Sequence, residues 1–265
     1  MNSAGEAWKT FYQSGSLSWH DPEKINYDRL VRFSKSEWIR SILKPLPAQT
    51  HKKIKILEAG CGTGMYAAAL SIRGFEVDAF DYNEEALQIA KEMMRKISRE
   101  GRALDVRFRK DNLLHMQYES NRYDIVFNQA VLEYFSKEDR VLALEEMQRV
   151  TKPGGWVVVI VQHTAHPFGK FWRRIGWKGY TDQPPVMEIT PEILWENLNQ
   201  AGLTDISTDC IYPWKAFFFW PPWYQKWKWT SEIVYLMGRA LEHVPLPRIL
   251  RAALALQIIG MGRKP

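Results

Sequence analysis

An apolar run that breaks into three glycines two residues apart constrains this chain more than any other feature. ILEAGCGTG, residues 56–64, overlaps KIKILE (53–58), which reads as a short buried strand, and precedes residues 65–73, which read as a helix. Missing Cβ atoms at a strand-to-helix turn let backbone N–H groups and a ligand approach closely. A dinucleotide-binding turn would carry its third glycine one position later, where Met65 stands. The glycines by themselves also suit a purely steric turn.

The rhythm then repeats. EVDAFD (76–81) predicts a second strand, and residues 84–99 predict a helix with Leu87, Ala90, Met94 and Ile97 at helical spacing. Asn83 suits its N-cap, with Glu84 and Glu85 in the favoured first turn. LDVRFR (104–109) and YDIVFN (123–128) predict a third and a fourth strand. A helix over 137–150 is expected to close at Lys152-Pro153-Gly154-Gly155, and WVVVIV (156–161), the most apolar strand, is expected at the sheet centre. Thr190 as N-cap, Pro191 at the first helical position and Gly202 near the end bound a helix over 191–201. A strand over 204–211 follows, and residues 254–262 read as a last strand in preference to a helix. Strand and helix in alternation imply an α/β fold with parallel pairing through right-handed crossovers.

Polar residues stand where the predicted strands end. Glu58 ends the first strand, Asp81 the second, Asp111 with Asn112 follows the third, and Asn128 ends the fourth. Parallel sheets bind ligands at these carboxyl ends. Asp81 could there accept two ribose hydroxyls, and Asp111 could receive an adenine amino group. Helix capping or turn formation is the competing reading of both aspartates.

At this point the chain resembles the class I S-adenosylmethionine-dependent methyltransferases, in the branch that methylates small molecules. LEAGCGTG, the acid of AFDYN, RKDNL, YDIVFNQAVLEYF and EEMQRVTKPGGWVVVI carry the resemblance, which covers about residues 50–210. It implies a Rossmann-like doubly wound sheet, mostly parallel with an antiparallel last strand. It also implies S-adenosyl-L-methionine as methyl donor and S-adenosyl-L-homocysteine as product. Gly60, Cys61 and Gly62 would contact the donor, together with Glu58 at the strand end. Asp81 would bind the ribose, Tyr82 would flank the adenine, and Asp111 and Asn112 would bind it. Asn128 would lie near the aminocarboxypropyl end. Cys61 would pack there and not act as a nucleophile.

Methyl transfer cancels the sulfonium charge, so the protein's main task is in-line orientation and exclusion of water. Oxygen and carbon acceptors can need a base. His163 is the leading candidate for that base; His166, Glu133 and Tyr134 are others, and Tyr134 and His166 are also candidates for the acceptor site. Each has an ordinary loop or ion-pair reading. The chemistry requires no metal, and no cluster has metal-ligand spacing.

Residues 212–265 differ in character. AFFFWPPWYQKWKW (216–229) holds eight aromatic residues, and Pro221-Pro222 splits it. The net charge of +6 lies wholly here: residues 1–211 carry 28 Lys/Arg against 28 Asp/Glu, and residues 212–265 carry eight against two. The expectation is a helical, aromatic-rich cap with Trp220, Trp223 and Trp227 lining the site of an apolar, lipid-like acceptor. Its basic outer face would touch anionic membrane. Packing beneath the cap is the competing reading. No nucleic-acid module is apparent, so no nucleic-acid partner is expected.

The chain then divides into an N-terminal segment, 1–50, closing over the donor; a core, 51–211; and the cap with the last strand, 212–265, within one domain overall. Two cysteines, no signal-peptide pattern and no run of 18 apolar residues point to a cytoplasmic protein, peripheral at the membrane if attached at all. The alternatives to a small-molecule methyltransferase are a nucleotide-dependent oxidoreductase and a non-catalytic, membrane-associated binding protein on the same fold.

Overall fold

The computed structural model describes residues 25–47, 53–99, 104–163, 186–211 and 255–265, with the single positions 174 and 247. Helices α1 (Tyr27–Phe33) and α2 (Glu37–Leu43) precede β1 (Lys55–Ala59), α3 (Met65–Ile72), β2 (Glu76–Asp81), α4 (Glu84–Arg99), β3 (Val106–Lys110) and β4 (Tyr123–Gln129). A 3-10 turn, Leu132–Tyr134, leads into α5 (Lys137–Val150), followed by β5 (Thr151–Gln162), α6 (Pro191–Gln200), β6 (Thr204–Ile211) and β7 (Gln257–Arg263).

Among the described residues the strands form a seven-stranded sheet in the order β3-β2-β1-β4-β5-β7-β6. Strands β1 to β5 pair in parallel, and β7 lies antiparallel between β5 and β6. Period-2 alternation sorts the side chains to the two faces. Leu57, Val126, Val157 and Val159 pack with Leu144 and Met147 of α5 and Leu194 and Leu198 of α6. Ile56, Ile125, Phe127 and Ile160 pack with Ile39 and Ile42 of α2 and Leu70 of α3. Both faces of the sheet are therefore covered, which explains the near-continuous apolar sequence of β5. Chain order reverses between β1 and β4, and this switch point opens a crevice at their carboxyl ends.

The predicted caps hold. Asn83 Oδ1 accepts the Ala86 N–H at 3.1 Å, and Thr190 Oγ1 accepts that of Ile193 at 3.3 Å. Three expectations are corrected. The middle strand is β4, and β5 stands beside it, because β3, β2 and β1 all lie on the far side of β4 and balance β5, β7 and β6. The Lys152–Gly155 segment does not separate helix from strand: it is a bulge within β5, since Tyr123 pairs with Thr151 and Ile125 with Trp156. Gly154, at φ 74°, and Gly155, where a Cβ would lie 2.9 Å from the Asp124 carbonyl oxygen, allow that bulge. The third strand starts at Val106, not Leu104, because the Ser71 hydroxyl takes the Asp105 N–H at 2.8 Å. The N-terminal segment up to residue 24 and the aromatic segment 216–229 lie outside the described residues.

Candidate functional site

The glycine loop is held by hydrogen bonds from the end of β2. At the end of β1 the N–H groups of Gly60 and Cys61 both donate to the Phe80 carbonyl of β2, at 2.9 and 2.8 Å. Gly60, Gly62 and Gly64 have φ of 80°, 51° and 73°, in the left-handed region that glycine enters without strain. A Cβ on Gly60 would lie 2.6 Å from Val131 Cγ2, so the loop and the segment after β4 touch.

Asp81, half-buried at the end of β2, clamps this loop. Its Oδ2 accepts the Gly62 N–H at 2.7 Å and its Oδ1 the Asn83 N–H at 2.8 Å. Burial raises its carboxyl above the usual range against the pull of those N–H groups. Each carboxylate oxygen retains accepting capacity beyond one backbone bond. Glu58 is buried beneath the loop, and its Oε2 accepts the Ala67 N–H at 2.8 Å in the first turn of α3. Burial, with the Asp81 charge adding to it, pushes Glu58 well above the ordinary carboxylate value. Burial and both of these acids likewise push the Cys61 thiol up, which keeps it neutral.

Asp111 and Asn112 begin the loop after β3. Asp111 is buried and accepts the N–H groups of Asn112 at 2.9 Å and Gln117 at 3.0 Å; Asn112 Oδ1 accepts that of Leu114 at 3.0 Å. The turn role weighed for the aspartates is thus present in this fold. Tyr82 stands 49% exposed at the mouth of the crevice, where a ring is available for stacking.

Asn128, two residues beyond Val126 in β4, is fully buried; its Nδ2 donates to the Ala59 carbonyl at 3.3 Å. Its Oδ1 has no hydrogen-bond partner among the described residues, and neither has the buried hydroxyl of Thr63 in the glycine loop. A buried acceptor left unpaired costs about 1–3 kcal/mol, which a ligand N–H would recover. Thr63 was not singled out by sequence reasoning, because only its burial marks it. Ala130 was missed as well: it turns the chain at φ 56°, a conformation unusual outside glycine, and sends Val131 against Gly60.

A second group of polar side chains lies beyond β4 and β5. Glu133 is fully buried, and its Oε1 accepts the Gln162 N–H at 3.2 Å while its Oε2 is unpartnered among the described residues. Burial pushes its carboxyl up to about 7. Tyr134 beside it is buried, and burial followed by the Glu133 charge raises its phenol. His163 follows the last residue of β5; its Nδ1 lies 3.2 Å from the Ala255 carbonyl oxygen. A carbonyl only accepts, so Nδ1 carries the proton in this contact. Glycine loop, Asp81, Asp111, Asn112 and Asn128 thus share the carboxyl end of the sheet with Glu133, Tyr134 and His163. His166, Trp220, Trp223 and Trp227 lie outside the described residues.

Comparison with known proteins agrees with this arrangement. Residues 56–155 match the family described as a methyltransferase domain. Demethylmenaquinone methyltransferase of Staphylococcus aureus is 30% identical over 141 residues, 51% of this chain and 54% of that protein. The chain therefore spans about half the length of the curated relatives it matches. Among solved structures, an S-adenosylmethionine-dependent methyltransferase of Thermotoga maritima aligns at TM-score 0.61 and 14% identity, over 99% of this chain and 100% of the other. A geranyl diphosphate methyltransferase solved with geranyl diphosphate and sinefungin aligns at 0.56 and 14% identity, over 84% and 75%. The [4+2]-cyclase SpnF aligns at 0.57 and 20% identity, over 90% and 80%. Residues 56–155 thus match a methyltransferase domain, and the chain shares its fold with solved S-adenosylmethionine-dependent methyltransferases.

Proposed function

We propose that the protein transfers a methyl group from S-adenosylmethionine to a small, apolar or lipid-like acceptor at an oxygen, nitrogen or carbon atom. The observation that carries this reading is the loop at the switch point. Three left-handed glycines, the Asp81 carboxylate on the Gly62 N–H and the unpaired Asn128 Oδ1 lie around one crevice. The donor suits them chemically. Asp81 accepts the ribose hydroxyls with its remaining lone pairs, Asn128 Oδ1 accepts from the α-ammonium, and the glycine loop lies along the methionine chain. Tyr82 stacks on the adenine, and Asp111 with Asn112 reads its edge. When bound, the donor supplies an electrophilic methyl group whose sulfonium charge vanishes on transfer. The chain's own part is to hold the acceptor atom in line with the S–CH₃ bond, about 3 Å away, in a site free of water. His163 Nε2 takes the proton of an acceptor that must be deprotonated.

The lipid-like acceptor is supported by the aromatic, basic character of residues 212–253 and by the demethylmenaquinone named for the staphylococcal relative. Trp220, Trp223 and Trp227 would line its site, and Tyr134 and His166 would contact it. A basic cap face would also bring the protein to anionic membrane. The likeness to a cyclase means that fold alone does not fix the reaction. Titration calorimetry with S-adenosylhomocysteine and with NAD tests the donor. Transfer of labelled methyl to a demethylated quinol and to a water-soluble catechol tests the acceptor class. Binding of NAD in place of S-adenosylhomocysteine rejects the proposal.

A further inference from the structure

Arg140 is a charged side chain in an apolar place. It is 5% exposed and belongs to the inward stripe of α5 with Ala143, Leu144, Met147 and Val150. Its Nε and Nη1 have no hydrogen-bond acceptor among the described residues. Burial lowers its affinity for the proton, and the charge of Glu138, an exposed neighbour in the same turn, opposes this only in part. A guanidinium does not escape burial by losing its proton; it needs an anion.

The fold places this group at the same end of the sheet as the crevice. Helix α5 runs from the end of β4 back to the start of β5. Helix α6 runs the same way, because Gln148 near the end of α5 donates to the Gly202 carbonyl just past the end of α6, at 2.9 Å. Both helix N-termini therefore lie beside the carboxyl ends of β4 and β5. Side chains on a helix lean toward its N-terminus, so Arg140, one turn into α5, leans toward that end. The two helix dipoles add partial positive charge there.

We propose that Arg140 anchors the oxyanion head, a carboxylate or a phosphate ester, of an amphiphilic methyl acceptor at the paired N-termini of α5 and α6. This rests on the methyltransferase reading and adds to it the chemistry of one end of the acceptor. The planar fork of the guanidinium matches two oxygens of such a head, which fixes the acceptor's orientation as well as its affinity. The apolar body of the acceptor then extends toward the methyl donor.

The test uses the full chain, with wild type, Arg140→Met and Arg140→Lys, and three probes at matched ionic strength: inorganic phosphate, acetate, and octyl phosphate below its micelle concentration. Thermal melts confirm that each variant is folded, and calorimetry measures binding. Octyl phosphate is expected to bind wild type at least tenfold more tightly than inorganic phosphate or acetate. Arg140→Met is expected to lose at least tenfold of that affinity with S-adenosylhomocysteine binding unchanged. Arg140→Lys, which keeps the charge and loses the fork, is expected to fall between. Equal binding of octyl phosphate by all three proteins, or no binding by wild type, overturns the site. Inorganic phosphate binding as tightly as octyl phosphate overturns its assignment to the acceptor. Failure of wild type to bind S-adenosylhomocysteine would remove the methyltransferase reading instead, while the response to the anions would still be read from the same variants.

Discussion

Asp81 Oδ2 accepts the Gly62 N–H at 2.7 Å, across 19 residues of sequence. One carboxylate thereby holds the glycine loop in its left-handed path and stands at the position proposed for the ribose. Under the proposed donor site, loop geometry and donor affinity would be coupled through a single side chain.

Asp81→Asn tests that coupling. The amide oxygen can still accept from Gly62, but its NH₂ then faces the Asn83 N–H, and the charge is lost. Charge-assisted bonds are worth about 1.5–3 kcal/mol each, so affinity for S-adenosylhomocysteine should fall at least tenfold by calorimetry, with a lowered melting temperature from the lost Asn83 N–H bond but a folded protein. Undiminished affinity in the folded variant would assign Asp81 to the loop alone.

Asn128→Ala should separate ligand binding from stability in another way. Among the described residues the side chain makes one long bond, at 3.3 Å, and Oδ1 has no partner, so its removal is expected to lose little in the free protein. If the donor's ammonium pairs with Oδ1, affinity for S-adenosylhomocysteine should fall by about 1.5–3 kcal/mol, the worth of a charged hydrogen bond. Equal affinities in the two proteins would remove Asn128 from the donor site.

Glu133 predicts a dependence of stability on pH. Its carboxyl, pushed up to about 7 by burial, favours the protonated form in the folded state. The contribution is therefore full below the ordinary carboxylate range and is lost as pH rises through about 7. With a displacement of some 2.5 pH units, the span is on the order of 3 kcal/mol. Glu133→Gln should flatten this loss between pH 5 and 8 in urea denaturation. A wild-type profile no steeper than that of the variant would show that Glu133 does not titrate in this window.

Gly64→Ala should destabilise the fold. The position has φ 73°, and the added Cβ would stand 2.6 Å from Phe108 Cε1. Left-handed strain together with overpacking is worth about 2–4 kcal/mol. Denaturant melts give the value; a loss under about 0.5 kcal/mol, the size of an ordinary surface substitution, would mean that Phe108 moves aside without cost.

His163→Ala should slow turnover by about 10²–10⁴-fold for an acceptor that must lose a proton, and leave S-adenosylhomocysteine affinity unchanged. Steady-state rates across pH are the measurement. Full activity at every pH would return His163 to the role of a residue tying β5 to the Ala255 carbonyl.

Much of the architecture is local, and so was legible in the sequence. Caps at Asn83 and Thr190 and the proline opening α6 act within a few residues of where they stand, and the glycine turn and the strand-end acids are marked by their position directly after apolar runs. Alternation of strand and helix then dictates a parallel sheet whose carboxyl ends carry the polar residues. The sequence by itself determined the fold class and the end of the sheet where a ligand belongs. The tertiary structure alone decided what depends on distant partners. It placed β7 between β5 and β6, and tied Asp81 to Gly62. It left Asn128 Oδ1, Thr63 Oγ1 and Arg140 Nε and Nη1 buried without partners among the described residues. Whether a polar atom is satisfied depends on which chain segments close around it, and no local pattern of residues records that closure.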